Sequence, residues 1–254
     1  MHIYLTVVIF FLGLAIASFL NALLYRIDNG YKYPDIYIRG SHCEKCSKPL
    51  TWYELIPVLS FLIFRGKCKQ CGYKVPLYYP VSELTLAISL SSIFFFNFSI
   101  TLYIFVIFLF VMSYFDRIYK GIPRSIVHVF LLYSFISFVI HTAIYNVIPE
   151  NSILLSTLFV LFVFLISKIL KKKFGMGDLL VLFGMGFLLS IGMYLAFLYT
   201  FLFVALLYSL VLIFLKRATL KSSLPLLPIM YISFSLVLIF NNQLLLILEK
   251  VLGI

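Results

Sequence analysis

Four cysteines, the only ones in the chain, stand together in one polar segment. Cys43 and Cys46 form a C-x2-C pair, and after 21 intervening residues Cys68 and Cys71 form a second pair. Thiolates at this spacing suit tetrahedral Zn²⁺, because each short pair brings two sulfurs to one ion. Two disulfide bonds are the alternative interpretation. The spacing favours a zinc site whose four thiolates leave no open position for a substrate, so the metal would be structural.

Two neighbours of these cysteines bear on the site. Gly72 follows the last cysteine and permits the tight backbone that such a metal-binding turn needs. His42 precedes the first cysteine and offers a further nitrogen ligand. Because four thiolates already complete a tetrahedron, we interpret His42 as an exposed loop histidine.

Three of the nine acidic residues stand at the ends of apolar stretches. Asp116 ends one stretch in YFDRIYKGIP, Asp178 opens another in KKKFGMGDLLVL, and Glu83 lies one turn into a third in YYPVSELTLA. An ionisable group at the edge of an apolar region is costly and is therefore a functional candidate. Two carboxyl groups that share a site hold one proton between them, so one can activate a water while the other protonates a carbonyl oxygen. Asp116 and Asp178 thus predict an aspartic-protease dyad.

The surroundings of these aspartates allow a second interpretation of each. Gly175 and Gly177 lack side chains beside Asp178, which we expect to let an extended peptide backbone approach. Asp116 could instead form a surface ion pair with the neighbouring Arg117, and Asp178 could cap its helix. Their common position at one membrane face favours catalysis.

The candidate groups belong to a chain composed for a membrane. It is 63% hydrophobic and 11% charged, whereas a soluble domain is about 45–50% apolar and about 25% charged. This composition excludes a soluble globule, a disordered chain and a coiled coil. Runs long enough to cross a bilayer predict an all-α polytopic protein of about eight transmembrane helices, with a weak boundary near Gly192. The runs are Ile3–Tyr25, Leu77–Phe96, Ile100–Phe115, Ile126–Tyr145, Ile153–Leu170, Leu179–Ile191, Met193–Leu215 and Leu224–Leu248.

The distribution of Lys and Arg predicts the orientation. With the N-terminus outside, the inside segments 26–76, 116–125, 168–178 and 216–223 hold 19 of the 20 basic residues, and Lys250 is the exception. Basic residues concentrate on the cytoplasmic side of membranes. The net charge of +11 therefore marks one side of a bilayer, and we expect no nucleic-acid partner. The cysteines and both aspartates fall on this cytoplasmic side, where thiols stay reduced.

These patterns divide the chain into three predicted parts. Residues 1–25 form the first transmembrane helix, residues 26–76 a cytoplasmic zinc-binding domain, and residues 77–254 a seven-helix transmembrane core. The first span lacks a positive region ahead of its apolar stretch, so we interpret it as an uncleaved span and not as a signal peptide.

Four ordered motifs resemble the type IV prepilin peptidases, which are membrane aspartic proteases that trim pilin-like precursors and methylate the new N-terminus. The motifs are GLAIASFLNALLYR (13–26), the stretch from Cys43 to YYPVSE (78–83), FDRIYKGIP (115–123) and GMGD (175–178). The resemblance implies that Asp116 and Asp178 are the catalytic pair, that the four cysteines bind zinc, and that S-adenosylmethionine is the methyl donor. The substrates would be prepilins or pseudopilins with a short basic leader, cut at the cytoplasmic face of the bacterial inner membrane.

The resemblance also implies a set of residues close to the substrate or cofactor. Glu83, Gly66 and Lys67 would lie near the region tied to methyl transfer. The whole set comprises Gly175, Gly177, Gly66, Lys67, Glu83, Asn21 and Arg26.

Three departures from the family pattern concern substrate preference and packing. Leu180 stands where the family usually has Lys, Arg124 where it has an acidic residue, and LPLLP (224–228) where it has Phe-Gly-Pro. Three alternatives follow: a peptidase without methylation, a presenilin-type protease, or a zinc-stapled scaffold or carrier without enzymatic activity. Phe115 before Asp116, where presenilin-type proteases have Tyr, argues against the second. The uniformly apolar spans argue against a carrier.

Overall fold

A computed structural model describes residues 2–145, 150–169, 175–216 and 224–252. It divides into two compact units, Met1–Phe98 and Ser99–Ile254. The first unit contains the first apolar run, the cysteine segment and the second run. The three-part division inferred from the sequence stays a prediction.

The first unit is built on two long helices joined by the cysteine segment. Its helices are α1 (His2–Asp28), α2 (Asp35–Ile38), a 3-10 helix (Trp52–Glu54), α3 (Leu59–Ile63) and α4 (Tyr78–Phe95). Helix α1 packs closely on α4, since a Cβ at Gly13 would lie 2.7 Å from the Cα of Ala87. This approach places the C-terminal end of α1 beside the first turns of α4.

The second unit consists of helices that carry both candidate aspartates. They are α5 (Thr101–Tyr119), α6 (Arg124–Tyr145), α7 (Glu150–Ile169), α8 (Met176–Leu188), α9 (Ile191–Phe214) and α10 (Leu227–Leu252). Two glycines let α8 pack against its neighbours: a Cβ at Gly184 would meet the ring of Phe130 in α6, and one at Gly186 would meet Ser156 in α7. Asp178 therefore lies on a helix that is held on two sides.

Within the described residues, each of the eight apolar runs coincides with one helix: α1, α4, α5, α6, α7, α8, α9 or α10. Five of them, α1, α5, α6, α9 and α10, are long and apolar enough to cross a membrane, and α8 and residues 152–166 of α7 form shorter apolar helices. A mostly helical protein with apolar spans is therefore confirmed, whereas the count of eight and the orientation stay predictions. The break expected near Gly192 lies earlier, where the Ser190 side chain accepts from the Met193 amide and begins α9.

Some residues on which the orientation depends lie outside the described part of the chain. They are Lys171, Lys172, Lys173, Arg217 and Lys221.

Candidate functional site

The four cysteines converge in the first unit. Their Sγ atoms all lie within 4.8 Å of one another, and the pairs Cys43–Cys71 and Cys46–Cys68 are 3.8 Å and 3.9 Å apart. A tetrahedron with a metal–sulfur distance of about 2.3 Å has sulfur–sulfur edges of about 3.8 Å. The four thiols are free, and disulfide sulfurs would be about 2.05 Å apart. The donor set and its spacing thus fit one Zn²⁺, and the disulfide alternative is wrong for this structure.

The two C-x2-C turns have the same backbone hydrogen bonds. The Cys43 amide donates to the carbonyl of Lys48, five residues on, and the Cys68 amide donates likewise to the carbonyl of Tyr73. The Ser47 amide donates to the carbonyl of Cys43, and the Gly72 amide donates in the same way to the carbonyl of Cys68. Ser47 and Gly72 both have positive φ, 56° and 67°. The turns are therefore two copies of one knuckle, with Gly in one copy and Ser in the other.

Because the two turns have the same geometry, we expect opposite effects on the rate of zinc release from a matched pair of variants. Ser47→Gly relieves a left-handed backbone that costs a side-chain-bearing residue about 1–2 kcal/mol, so we expect zinc release to a chelator to slow about fivefold. Gly72→Ser introduces the same strain in open space, and we expect a similar acceleration. Stopped-flow chelator kinetics measure both. Rates that move in the same direction would contradict the strain explanation.

The local electrostatics suit a cation between the thiols. The amides of Cys71 and Gln70 lower the pKa of Cys68. The Lys48 amide lowers the pKa of Cys46, but burial and the neighbouring thiols outweigh it and raise that pKa to about 11. Four thiols this close do not all ionise unless a positive ion compensates their charges.

His42 is not part of this cluster. Its ring lies half-buried beside Tyr25 and Tyr31, and its Nδ1 faces the carbonyl of Gly40. The metal-ligand group contains the cysteines alone among the described residues. The interpretation of His42 as a non-ligand stays a prediction, whereas its expected exposure is wrong because Tyr25 at the end of α1 packs against its ring.

A capping box fixes the segment that follows the first knuckle. The Glu54 carboxylate accepts from the Thr51 amide and hydroxyl and forms an ion pair of 3.0 Å with Lys48. The Thr51 amide, its hydroxyl and the Lys48 ammonium together lower the pKa of Glu54 to about 2. The pair stays charged near neutral pH and ties the knuckle to the 3-10 helix.

Asp116 is buried near the end of α5. Only 4% of the residue is exposed, so the alternative of a surface ion pair is wrong. Its Oδ2 accepts a hydrogen bond of 3.0 Å from the Leu227 amide at the start of α10, and the Leu226 amide also faces this carboxyl group. These two leucines belong to the LPLLP stretch, which the sequence marked only as a departure from the family.

Asp178 lies in the first turn of α8, within electrostatic range of Asp116. The N-cap of α8 is Gly175, so the alternative of a helix-capping Asp178 is wrong. The structure therefore brings together two carboxyl groups that are 62 positions apart in the sequence. Their catalytic role stays a prediction at this point.

The two glycines before Asp178 have neighbours within the protein. A Cβ at Gly175 would lie 2.6 Å from the Asp178 Oδ2, and a Cβ at Gly177 would lie 3.1 Å from the Cδ1 of Ile122. Gly175 thus makes room for the carboxyl group itself, and Gly177 for the loop after α5. The expected approach of a substrate backbone to these glycines stays a prediction.

A methyl group at position 175 is expected to impair the dyad more than the fold. Gly175→Ala forces the Asp178 carboxyl group to rotate, because no Cβ tolerates a 2.6 Å contact. We expect precursor cleavage to fall at least about tenfold, since misplacing a reacting group by 1 Å can cost 100-fold, with little change in melting temperature. Gly121→Ala, in open space on the same loop side of the second unit, is the control. Equal activities of the two variants would contradict this role of Gly175.

The remaining predicted residues line one cavity of about 230 Å³ in the first unit. Asn21, Arg26, Gly66, Lys67 and Glu83 all contribute to its wall, together with Cys43 and Cys68. Asn21 is 2% exposed, and its Nδ2 donates to the Ser82 hydroxyl, while its buried Oδ1 has no partner among the described residues. Arg26 donates to the carbonyl of Ile36. The five members of the sequence set that belong to the first unit are thus brought together.

Glu83 holds a strained turn at the cavity wall. Val58 has φ 60° and ψ −50°, a conformation rare for a residue with a side chain. Its amide donates to the Glu83 Oε2 at 2.9 Å, and the Ser18 side chain also bonds to this carboxyl group. Sequence reasoning missed Val58, because only the tertiary contact with Glu83 offsets the strain.

Gly66 is required by its neighbour and by its backbone. Its φ is +63°, and a Cβ there would lie 2.6 Å from the ring of Phe61. A glycine at this position lets the ring close one side of the cavity.

Comparison with protein-family models gives a match within the first unit. Residues 11–98 match the bacterial peptidase A24 N-terminal domain. This segment is similar to that domain. The matched segment comprises most of α1, the cysteine centre, the cavity and α4, whereas Asp116 and Asp178 lie beyond the match.

Curated relatives support the resemblance to prepilin peptidases. Proteins described as prepilin leader peptidase/N-methyltransferase are 40% identical over 80 residues in Myxococcus xanthus, 35% over 81 in Vibrio cholerae and 40% over 80 in Bacillus subtilis. The matches cover 31%, 30% and 32% of this chain and 22%, 32% and 31% of the respective relatives. They therefore span about a third or less of each relative. No solved structure matches the chain.

Proposed function

We propose that this protein is a membrane aspartic endopeptidase that removes the short basic leader of type IV prepilins or pseudopilins. The observation that carries the proposal is the electrostatic pair of Asp116 and Asp178 in an apolar helical unit. The relatives' description as prepilin leader peptidases supplies the substrate class. The positive-inside pattern supports a multi-pass protein of the bacterial inner membrane, with the dyad at the cytoplasmic face.

The chemistry requires one proton shared between two carboxyl groups. The ionised carboxylate takes a proton from a water, whose oxygen attacks the scissile carbonyl carbon, while the protonated carboxyl group donates to the carbonyl oxygen. Asp116 is buried, and the low local dielectric constant of a buried position strengthens electrostatic interactions and hydrogen bonds with the reacting atoms.

The four-cysteine centre is proposed to hold a structural Zn²⁺. Cys43, Cys46, Cys68 and Cys71 fit the metal by donor type and by spacing. When bound, the ion supplies folding free energy to a segment with few apolar contacts. The protein's own part is to present four sulfurs on two preformed knuckles.

The cavity of the first unit is proposed to serve a second activity, the N-methylation of the mature N-terminus. The relatives' description as N-methyltransferases supports this activity. S-adenosylmethionine, when bound, supplies an electrophilic methyl group on a sulfonium ion. The cavity fits part of such a zwitterionic molecule, because the free Asn21 Oδ1 and the Glu83 carboxylate offer acceptors and Lys67 offers a cation. The alternative is a peptidase without methylation.

The experiment that tests the peptidase is direct. Purified protein in detergent is mixed with a pilin-like precursor, and the released leader is identified by mass spectrometry. Cleavage at the leader junction supports the proposal. Absence of cleavage, with an intact and zinc-loaded protein, would favour the non-enzymatic scaffold. Transfer of labelled methyl from S-adenosylmethionine to the new N-terminus tests the second activity, and cleavage without transfer would leave a peptidase only.

One substitution is expected to separate the two activities. Asn21→Leu preserves the shape of the buried side chain and removes its free Oδ1, so we expect methyl transfer to fall at least about tenfold with cleavage unchanged. Ser82→Ala is the matched control, since it removes the partner of the Asn21 Nδ2 and leaves Oδ1 in place. Equal loss of methylation in both variants would show that the site needs the Asn21–Ser82 hydrogen bond and not the free oxygen.

A further inference from the structure

The two carboxyl groups of the dyad have different surroundings. Asp116 accepts a buried hydrogen bond from the Leu227 amide and faces the Leu226 amide. Asp178 has no hydrogen-bond donor among the described residues, and its electrostatic neighbour there is Asp116. The difference in hydrogen bonding between Asp116 and Asp178 therefore comes from backbone amides at the start of α10 and not from a side chain.

The sequence of the LPLLP stretch explains why these amides are available. Pro225 and Pro228 have no amide hydrogen, so Leu226 and Leu227 carry the donors between them. Amides at the first turn of a helix have no partner within the helix. They also lie at the positive end of the helix dipole, which favours an anion. The start of α10 thus offers fixed donors to a negatively charged oxygen.

We propose that the start of α10 makes the dyad asymmetric: the Leu227 amide positions Asp116 as the carboxylate that activates water, and Asp178 carries the shared proton. The assignment rests on the proposed peptidase function. An ionised carboxylate accepts an amide hydrogen bond more strongly than a neutral acid does. Leu227 is a positioning residue, because it acts on the substrate only through Asp116.

The assignment fixes the path of each proton. Asp116 takes a proton from water as the new C–O bond forms, and Asp178 gives its proton to the carbonyl oxygen, which yields a neutral gem-diol. When the C–N bond breaks, Asp116 passes its proton to the leaving amine. Asp178 regains a proton from the gem-diol hydroxyl as the carbonyl re-forms. Both groups thus return to their starting states.

Other charged groups near this end of the second unit bear on the pH dependence. Arg117 lies on α5 over the ring of Tyr114, Lys120 is the C-cap of α5, and Arg124 begins α6. Lys171 to Lys173 lie outside the described residues. None of these groups changes in the variants below, so their contribution to a pH profile is common to all.

A matched pair of substitutions isolates the amide. Leu227→Pro removes the donor at a helix position that tolerates proline, and Leu227→Ala removes the same buried side chain but keeps the amide. Relative to Leu227→Ala, we expect Leu227→Pro to lower kcat at least about tenfold at unchanged KM. The acid limb of its profile of kcat/KM against pH should move up by about one pH unit. Identical kcat and pH profiles in the two variants would overturn the assignment.

Infrared titration gives a second measurement that needs neither Leu227→Pro nor turnover. Asp116→Asn leaves Asp178 as the one dyad carboxyl group, and Asp178→Asn leaves Asp116. Spectra of the double variant are subtracted to remove the other acids. We expect the protonated C=O band of Asp178 to persist to higher pH than that of Asp116. If the band of Asp116 persisted to higher pH than that of Asp178, or if both titrated at the same pH, the assignment would be overturned. If Asp178 held its proton to higher pH as expected but the unmodified protein did not cleave a precursor, only the proposed peptidase function would be overturned.

Discussion

Replacing either Asp116 or Asp178 with asparagine is expected to lower precursor cleavage at least about a thousandfold. Asparagine keeps the shape of the side chain but neither accepts a proton from water nor donates an acidic one. In Asp116→Asn the Leu227 amide keeps an oxygen acceptor, so the fold should survive. Leader release from a pilin-like precursor, followed by mass spectrometry over time, measures the loss.

The control for this result is an aspartate outside the dyad. Asp35→Asn changes an exposed carboxyl group in α2 of the first unit, and we expect it to cleave at the unmodified rate. Melting temperatures of the three variants in detergent show whether each protein is folded. Full cleavage by either dyad variant would exclude the aspartic mechanism, and the resemblance to prepilin peptidases would then rest on the first unit alone.

Replacing one cysteine in each knuckle is expected to release the metal. The Cys43→Ser/Cys68→Ser double variant removes a sulfur from both C-x2-C turns. We expect its zinc affinity to fall more than about 100-fold, because even the loss of an outer hydrogen-bond partner costs 10–100-fold. Metal analysis of the purified protein should give about one zinc per unmodified chain and almost none in the variant. Limited proteolysis should then cut the segment between α2 and α4.

A neighbouring substitution separates ligand loss from local disturbance. His42→Ser lies beside Cys43 but outside the cysteine cluster, so we expect full zinc content. Unchanged metal in the double cysteine variant, or equal loss in His42→Ser, would contradict the four-thiolate assignment. Methyl transfer provides a further readout, since Cys43 and Cys68 also line the cavity.

The sequence by itself determined those features that depend on neighbours along the chain. Each apolar run located one helix of the described residues to within a few positions, because a helix that faces lipid needs a continuous apolar stretch. The C-x2-C spacing predicted a thiolate centre, since two residues between cysteines are enough to turn two sulfurs toward one ion. The rarity of acidic groups in apolar stretches singled out Asp116, Asp178 and Glu83.

Only the tertiary structure decided which of these features meet. The pairing of Cys43 with Cys71, the support of the strained Val58 by Glu83, and the contact of Leu227 with Asp116 all join distant positions. Sequence periodicity assigns faces to helices but does not say which faces pack together. In the sequence, the LPLLP stretch was for this reason only a departure from the family pattern. In the structure, α10 packs beside α5 and places the amides of Leu226 and Leu227 at the carboxyl group of Asp116.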